Sequence, residues 1–264
     1  MFIKFLSFSM LIFGVSSAPS ACPDYFYTNG YFNDIGLLAD SVSWNDVKTV
    51  EGVCHTYNTI FESSGVYDTR LRVYSTDDLI VFTFRPTQQV SGGDIHVNRR
   101  LFPVTFFNGT GLVNDRFQVA YENLVKDFDF SLIGNKTVLM GSHSLGGSFT
   151  QFAMVHLKEV YNITTKLSVG LAGPLISDEE FYNKYQKKFK ENNFTIWWQV
   201  ETVDKYNNVD GTTTGYNCDY PPYIYIPNEA ICGLYITVQE GTYGMHDLVN
   251  YRSGLAGTTC RLNF

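Results

Sequence analysis

Residues 141–148, Gly-Ser-His-Ser-Leu-Gly-Gly-Ser, carry the strongest chemical signal in the chain. They follow a short apolar run at 136–140 (KTVLM) and lead into a stretch with helical apolar spacing. A sharp strand-to-helix turn of this kind can present the hydroxyl at its tip as a nucleophile, and Ser144 stands at the tip. The tip residue is held in a sparsely populated backbone conformation. Its neighbours two positions away must be small, because they pack together beneath the turn; Gly146 and Ser142 both qualify. The turn also aims the amide of Leu145 at the space above Ser144. There the N-terminus of the next helix favours a developing oxyanion. The chemistry such a site can perform is acyl transfer through a covalent serine intermediate. A phosphate-binding loop fits the string less well, because no Lys follows the second glycine.

A sheet must stand behind such a turn. Residues 78–85 (DLIVFTFR) read as a buried strand bounded by turn formers and Pro86. Residues 136–140, 167–171 and 194–203 read as further strands, and 235–238 as a late one. Apolar residues at Phe117, Ala120, Leu124, Val125 and Phe128 predict a helix within 114–130. Phe149, Phe152, Ala153, Val155 and Val160 predict another over 146–161. A polar helix is expected over 179–190, with Asp178 and Glu179 suited to its first turn. Strands alternating with helices predict an α/β fold, a central parallel or mixed sheet covered by helices.

With those elements in order, the chain resembles the class 3, fungal-type lipases, a branch of the α/β-hydrolase-like serine esterases. His143-Ser144-Leu145-Gly146-Gly147 is similar to that family's nucleophile turn. Phe84-Arg85-Pro86-Thr87 resembles its Phe-Arg-Gly-Thr/Ser segment, whose hydroxyl residue helps bind the oxyanion; the resemblance therefore points to Thr87, beside Leu145. Phe117 with Ala120-Tyr121 resembles the aromatic-led helix between these motifs, and Gly173-Pro174 the turn after the next strand. The likeness runs over about residues 70–252, with gaps. It implies a three-layer fold, a Ser-His-Asp triad, an ester or lipid substrate met at a lipid–water interface, and neither metal nor organic cofactor.

The resemblance also orders the triad. A serine needs a base and the base an orienting acid. The histidines are His55, His96, His143, His156 and His246. His143 adjoins the nucleophile and points away from it, and His156 reads as a surface or packing residue on the following helix. His55 lies early in the chain, and His96 falls in 88–103, where the family carries its lid and this chain has a Ser91-Gly92-Gly93 hinge. The family's base comes last, which selects His246, before Tyr251. The acid should follow the strand at 194–203, which selects Asp204, with Asp210 as competitor. Four departures stand out. Ser142 and Pro86 replace glycines, Asn114-Asp115-Arg116 replaces the His and Gly before the aromatic helix, and Asp204 is followed by Lys205-Tyr206-Asn207. They leave open a phospholipase, a phenolic-ester esterase, or a catalytically silent lipid- or glycan-binding descendant.

The chain's 264 residues carry 19 Lys+Arg against 26 Asp+Glu, a net charge of −7, which argues against a nucleic-acid partner. With 44% apolar and 17% charged residues it is globular, not disordered or collagen-like. Residues 1–18 read as a secretory signal: Lys4, an apolar run at 5–15, then Ser16, Ser17 and Ala18. That run is short for a membrane span, and a single catalytic domain over 19–264 is expected in a secreted protein. Asn-x-Thr sequons at Asn108, Asn135, Asn162 and Asn193 then read as glycosylation sites. The cysteines, Cys22, Cys54, Cys218, Cys232 and Cys260, match no zinc pattern. The family resemblance includes a bridge between the two ends, and chain termini of one domain often lie close. The expected pairs are Cys22–Cys260 and Cys218–Cys232, with Cys54 free; the alternative is that Cys54 pairs with one of these and another is left over.

Overall fold

The structure, a computed structural model, describes residues 31–86, 103–106, 111–171, 177–186 and 194–197. Its main sheet holds seven described strands in the order β1-β2-β3-β4-β7-β8-β9. These are β1 (Thr49–Glu51), β2 (Thr56–Ser64), β3 (Arg70–Ser75), β4 (Leu79–Phe84), β7 (Thr137–His143), β8 (Thr165–Leu171) and β9 (Phe194–Trp197). The first four are antiparallel neighbours, whereas β4, β7, β8 and β9 run parallel. A separate hairpin pairs β5 (Pro103–Thr105) with β6 (Leu112–Asn114). The fold is therefore the mixed α/β sheet that the sequence predicts.

Burial explains which strands lie at the centre. All six side chains of β4 are buried, as a strand covered on both faces requires. Near the edge, β2 alternates between exposed positions and buried or partly buried ones. Side chains alternate faces along a strand. Leu71, Val73, Ile80, Phe82, Phe84, Val138 and Met140 accordingly join one apolar core with the helices α2 (Asp115–Val125) and α3 (Leu145–Tyr161). The opposite face packs under α1 (Tyr31–Ser41), where a Cβ on Gly141 would lie 2.1 Å from Ile35 Cγ2. Helix α1 buries Ile35, Leu38 and Ala39, with Val42 just beyond it, a stripe at helical spacing. The result is three layers, helix on sheet on helix.

Each helix has a local cause. Asn114 caps α2, its side chain accepting the N–H groups of Arg116 and Phe117 at 3.0 and 3.5 Å. The departure at 114–116 is thus a helix cap. Helix α2 ends at Val125, short of the expected span, but Phe128 is still buried and meets Phe61 and Phe82 edge-on. Helix α3 closes on Asn162, which is left-handed at φ 53°, ψ 28°; the N–H groups of Asn162 and Ile163 donate to the Lys158 and Leu157 carbonyls.

One expectation is refined and one corrected. The helix expected over 179–190 is described to residue 186, as an α turn, α4 (Glu179–Phe181), widening into a π-type turn at Tyr182–Gln186, and residues 187–190 lie outside the described residues. The physical reason is aromatic: Phe181, Tyr182 and Tyr185 are all buried, and Phe181 packs edge-on against Phe106. The sequence pattern there reads as polar because these rings are spaced among Lys and Glu. Cys54, expected free, is disulfide-bonded. Its partner must be one of the four cysteines assigned to the two expected pairs, so those two pairs do not both form. Cys22, Cys218, Cys232 and Cys260 lie outside the described residues, as do residues 1–18, all but Pro103 of the segment 88–103 where a lid is expected, Gly173-Pro174, and the strand expected at 235–238.

Candidate active site

The parallel strands supply the platform. β7 runs to His143, the next residue turns, and the 17-residue α3 begins at Leu145. Ser144 occupies that single turning residue at φ 53°, ψ −128°. An L residue reaches this region only at a cost of order 1–3 kcal/mol, sustained by its surroundings. The turn is held by the Gly147 N–H donating to the Ser144 carbonyl at 2.8 Å, and Thr150 Oγ1 donates to the Gly147 carbonyl at 2.7 Å. Ser144 itself is half-buried, whereas His143, Leu145, Gly146 and Ser148 around it are buried.

Close packing explains the small residues. A Cβ on Gly146 would stand 2.1 Å from the carbonyl oxygen of Phe84 and 3.1 Å from that of Arg85. Helix α3 therefore starts hard against the backbone at the end of β4. On the other side of the turn, Ser142 is fully buried, and its Oγ accepts the N–H of Phe84 at 2.8 Å. The ladder between β4 and β7 runs to Phe82–Met140. Two residues further on, a side chain takes up the bonding. Ser142, which departs from the family's glycine, thus has a partner that a glycine could not provide.

The parallel order sets which loops can reach this site. Ser142 pairs in register with Gly170, and Gly170 with Trp197. The C-terminal ends of β4, β7, β8 and β9 therefore lie at one edge of the sheet, where open α/β sheets bind ligands. The first amides of α3, which have no partner within the helix, open at the same edge. Such an arrangement can place a serine hydroxyl and oxyanion-stabilising amides around one carbonyl.

Ser144 and Leu145 are thereby located together. Thr87 lies outside the described residues, one past the half-buried Pro86; Asp204, Asp210, His96 and His246 lie outside them as well. Two other histidines are placed elsewhere. His55 sits at the turn between β1 and β2, edge-on to Tyr57. His156 lies on α3 with Nδ1 2.8 Å from the Tyr121 hydroxyl, among Phe130 and Tyr161. Burial there lowers its pKa to about 4, and the same burial holds the Tyr121 phenol well above its usual range. Of the two roles its helix position allows, surface or packing, His156 takes packing. Of the sequons, Asn135 and Asn162 are exposed, and Asn108 and Asn193 lie outside the described residues. Among the described residues, no group of three or more His, Cys, Asp or Glu could hold a metal ion, and no helix is long and apolar enough to cross a membrane.

No family model and no curated protein matches the chain. Solved structures do. Lip2 lipase from Yarrowia lipolytica is similar at a TM-score of 0.51 and 17% identity, over 63% of this chain and 69% of that one. The lipase from Rhizopus microsporus var. chinensis is similar at a TM-score of 0.51 and 14% identity, over 70% and 71%. Of the Rhizomucor miehei lipase in its propeptide complex the chain spans 55%, at 18% identity and a TM-score of 0.48. The expected resemblance to fungal lipases holds at the level of the fold.

Proposed function

We propose that the protein is a secreted serine ester hydrolase of the lipase type. The observation that carries this reading is Ser144 held at φ 53°, ψ −128° between β7 and α3. Evolution retains such strain chiefly where it presents a reactive group. The Ser144 hydroxyl attacks the ester carbonyl. His246 takes the proton and later gives it to the departing alcohol. Water then cleaves the acyl-enzyme by the same route in reverse. Asp204 holds the imidazole in the working tautomer and stabilises its charged form. The amides of Thr87 and Leu145, with the Thr87 hydroxyl, bind the oxyanion.

The register favours this set. β9 carries the chain to Trp197 at the level of Ser142, seven residues before Asp204. An acid that follows β9 is therefore launched from the same sheet edge as Ser144. The substrate is a lipid or other ester, and the reading includes a single catalytic domain over 19–264 after a signal at 1–18, glycosylated at Asn108, Asn135, Asn162 and Asn193. The test is hydrolysis of a short-chain activated ester. Ser144→Ala should abolish turnover and stay folded, and Asp204→Asn should lower kcat by about 10⁴-fold while Asp210→Asn does little. Turnover that survives Ser144→Ala contradicts the reading.

A further inference from the structure

We propose that N-linked glycans at Asn135 and Asn162 cover an apolar patch at the edge of the sheet opposite Ser144; the inference rests on the secretory part of the reading above. The patch is built where the 3-10 turn at Phe130–Ile133 meets the end of α3. The Tyr161 ring stacks on that of Phe130, with centroids 4.3 Å apart and planes 20° from parallel. His156 packs against both rings. Tyr161 is nonetheless 42% exposed, Leu132 49% and Val160 53%. Val160 stands one helical turn beyond His156, and Leu132 lies two residues past Phe130, so the exposed groups adjoin one aromatic stack. Apolar groups gathered in this way are a liability in water unless something covers them.

Two sequons open beside the patch. Asn135 follows Leu132 by three residues, and Asn162 follows Tyr161 directly. The register between β7 and β8 pairs Val138 with Thr165, each three residues after one of the asparagines, so the two stand at the same edge of the sheet. The seven residues of β7 separate that edge from Ser144 by about 20 Å. Both asparagines are exposed. Lys158 Nζ donates to Asn162 Oδ1 at 3.0 Å and to Thr164 Oγ1 at 3.1 Å. The lysine thus engages the oxygen side of the amide and leaves Nδ2, the atom that carries the sugar, on the other. A glycan is bulky and solubilising, and the C–H faces of its sugars can lie on an exposed aromatic ring such as Tyr161. Sugars at this edge leave the approach of an ester to Ser144 clear.

The test expresses the full chain in a secretory eukaryotic host and maps sugar on each asparagine by mass spectrometry. Wild type is compared with the double variant Asn135→Gln, Thr164→Ala, which removes both sequons and keeps the Asn162 helix cap. It is also compared with folded wild type stripped by a peptide N-glycosidase. Both asparagines should carry sugar in wild type. Either sugar-free form should raise the fluorescence of an apolar dye about threefold or more and self-associate in light scattering. Adding Leu132→Ser, Val160→Ser and Tyr161→Ser to the double variant should return both readings to the wild-type level. A secreted chain with either asparagine unmodified overturns the proposal, as do sugar-free forms whose dye binding and association are unchanged. Sugar-bearing wild type that pairs with a second copy through this patch overturns it too. A wild type that carries the sugars but takes no fluorophosphonate overturns the enzymatic reading and leaves this proposal standing. A chain retained in the cell without sugar overturns the secretory reading and this proposal with it.

Discussion

The two halves of the main sheet are held together by different physics. The parallel half, β4, β7 and β8 under α2 and α3, is bound by apolar burial, with Phe82, Phe84, Phe149, Phe152 and Met140 in one continuous core. The antiparallel flank, β1 to β3, shares that core through β3, by Leu71 and Val73, and is fastened to α1 by buried charged groups as well. Arg72 is fully buried and donates to Glu62 at 2.7 and 2.9 Å and to the carbonyls of Ser41, the last residue of α1, and Trp44 just beyond it. Asp34, also fully buried, accepts the N–H groups of Val53 and Cys54 and the Tyr57 hydroxyl. A Cβ on Gly52 would fall 2.6 Å from that carboxylate. The half that carries the candidate site is thus rigid through packing. The flank is fastened by directed bonds that position α1 under β7. Strain at Ser144 needs a stiff surround, and the packed half provides it.

The sharpest way to break the contrast is at the seam where packing is tightest. Gly146→Ala drives a Cβ into the Phe84 carbonyl, which is backbone and cannot swing aside. The expected loss is about 3 kcal/mol or more in a denaturant melt, with covalent labelling of Ser144 lost as well. A variant as stable as wild type would show that the turn is not packed as described.

Arg72→Met tests the flank. It leaves two carbonyls without this donor, while Glu62, a third exposed, keeps Arg70 at 3.7 Å, and the expected cost is about 1–3 kcal/mol. Turnover per folded chain should be unchanged, because the flank positions no reacting group. Loss of kcat without loss of stability would merge the two halves and break the comparison.

The smallest effect is a pH dependence within the packed half. His156 has a folded pKa of about 4, lowered by burial, against an unfolded value of about 6.5. Below pH about 6.5 the unfolded chain takes up a proton that the folded chain refuses until about pH 4. Stability should therefore fall as pH drops through that window, and this contribution should be flat outside it. The ring is only half-buried, so the expected change is about 1 kcal/mol after allowance for solvent screening. His156→Gln, which keeps an acceptor for Tyr121, should remove the slope in melts taken from pH 7 to pH 4.

The same contrast explains what could be read in the sequence. Apolar runs and helical spacing mark the packed half, so β4, β7, β8, α2 and α3 are legible within a few residues, as is the strand-turn-helix around Ser144. The bonds that fasten the flank leave no local trace. Arg72 meets carbonyls 28 and 31 residues away, and Asp34 meets donors 19 to 23 residues on. Ser142 reads only as a small residue, because its partner is an amide 58 positions earlier. The disulfide of Cys54 is illegible for the same reason: an odd cysteine count fixes no pairing.

The central claim is that Ser144 is an activated nucleophile, and its most direct test is covalent. The protein is treated with a fluorophosphonate near neutral pH and the modified peptide is mapped by mass spectrometry. The account predicts one adduct, on Ser144, abolished in Ser144→Ala and in His246→Ala and retained in Asp210→Asn. An intact, folded chain that takes no label, or takes it on Ser142 or Ser148, would contradict it.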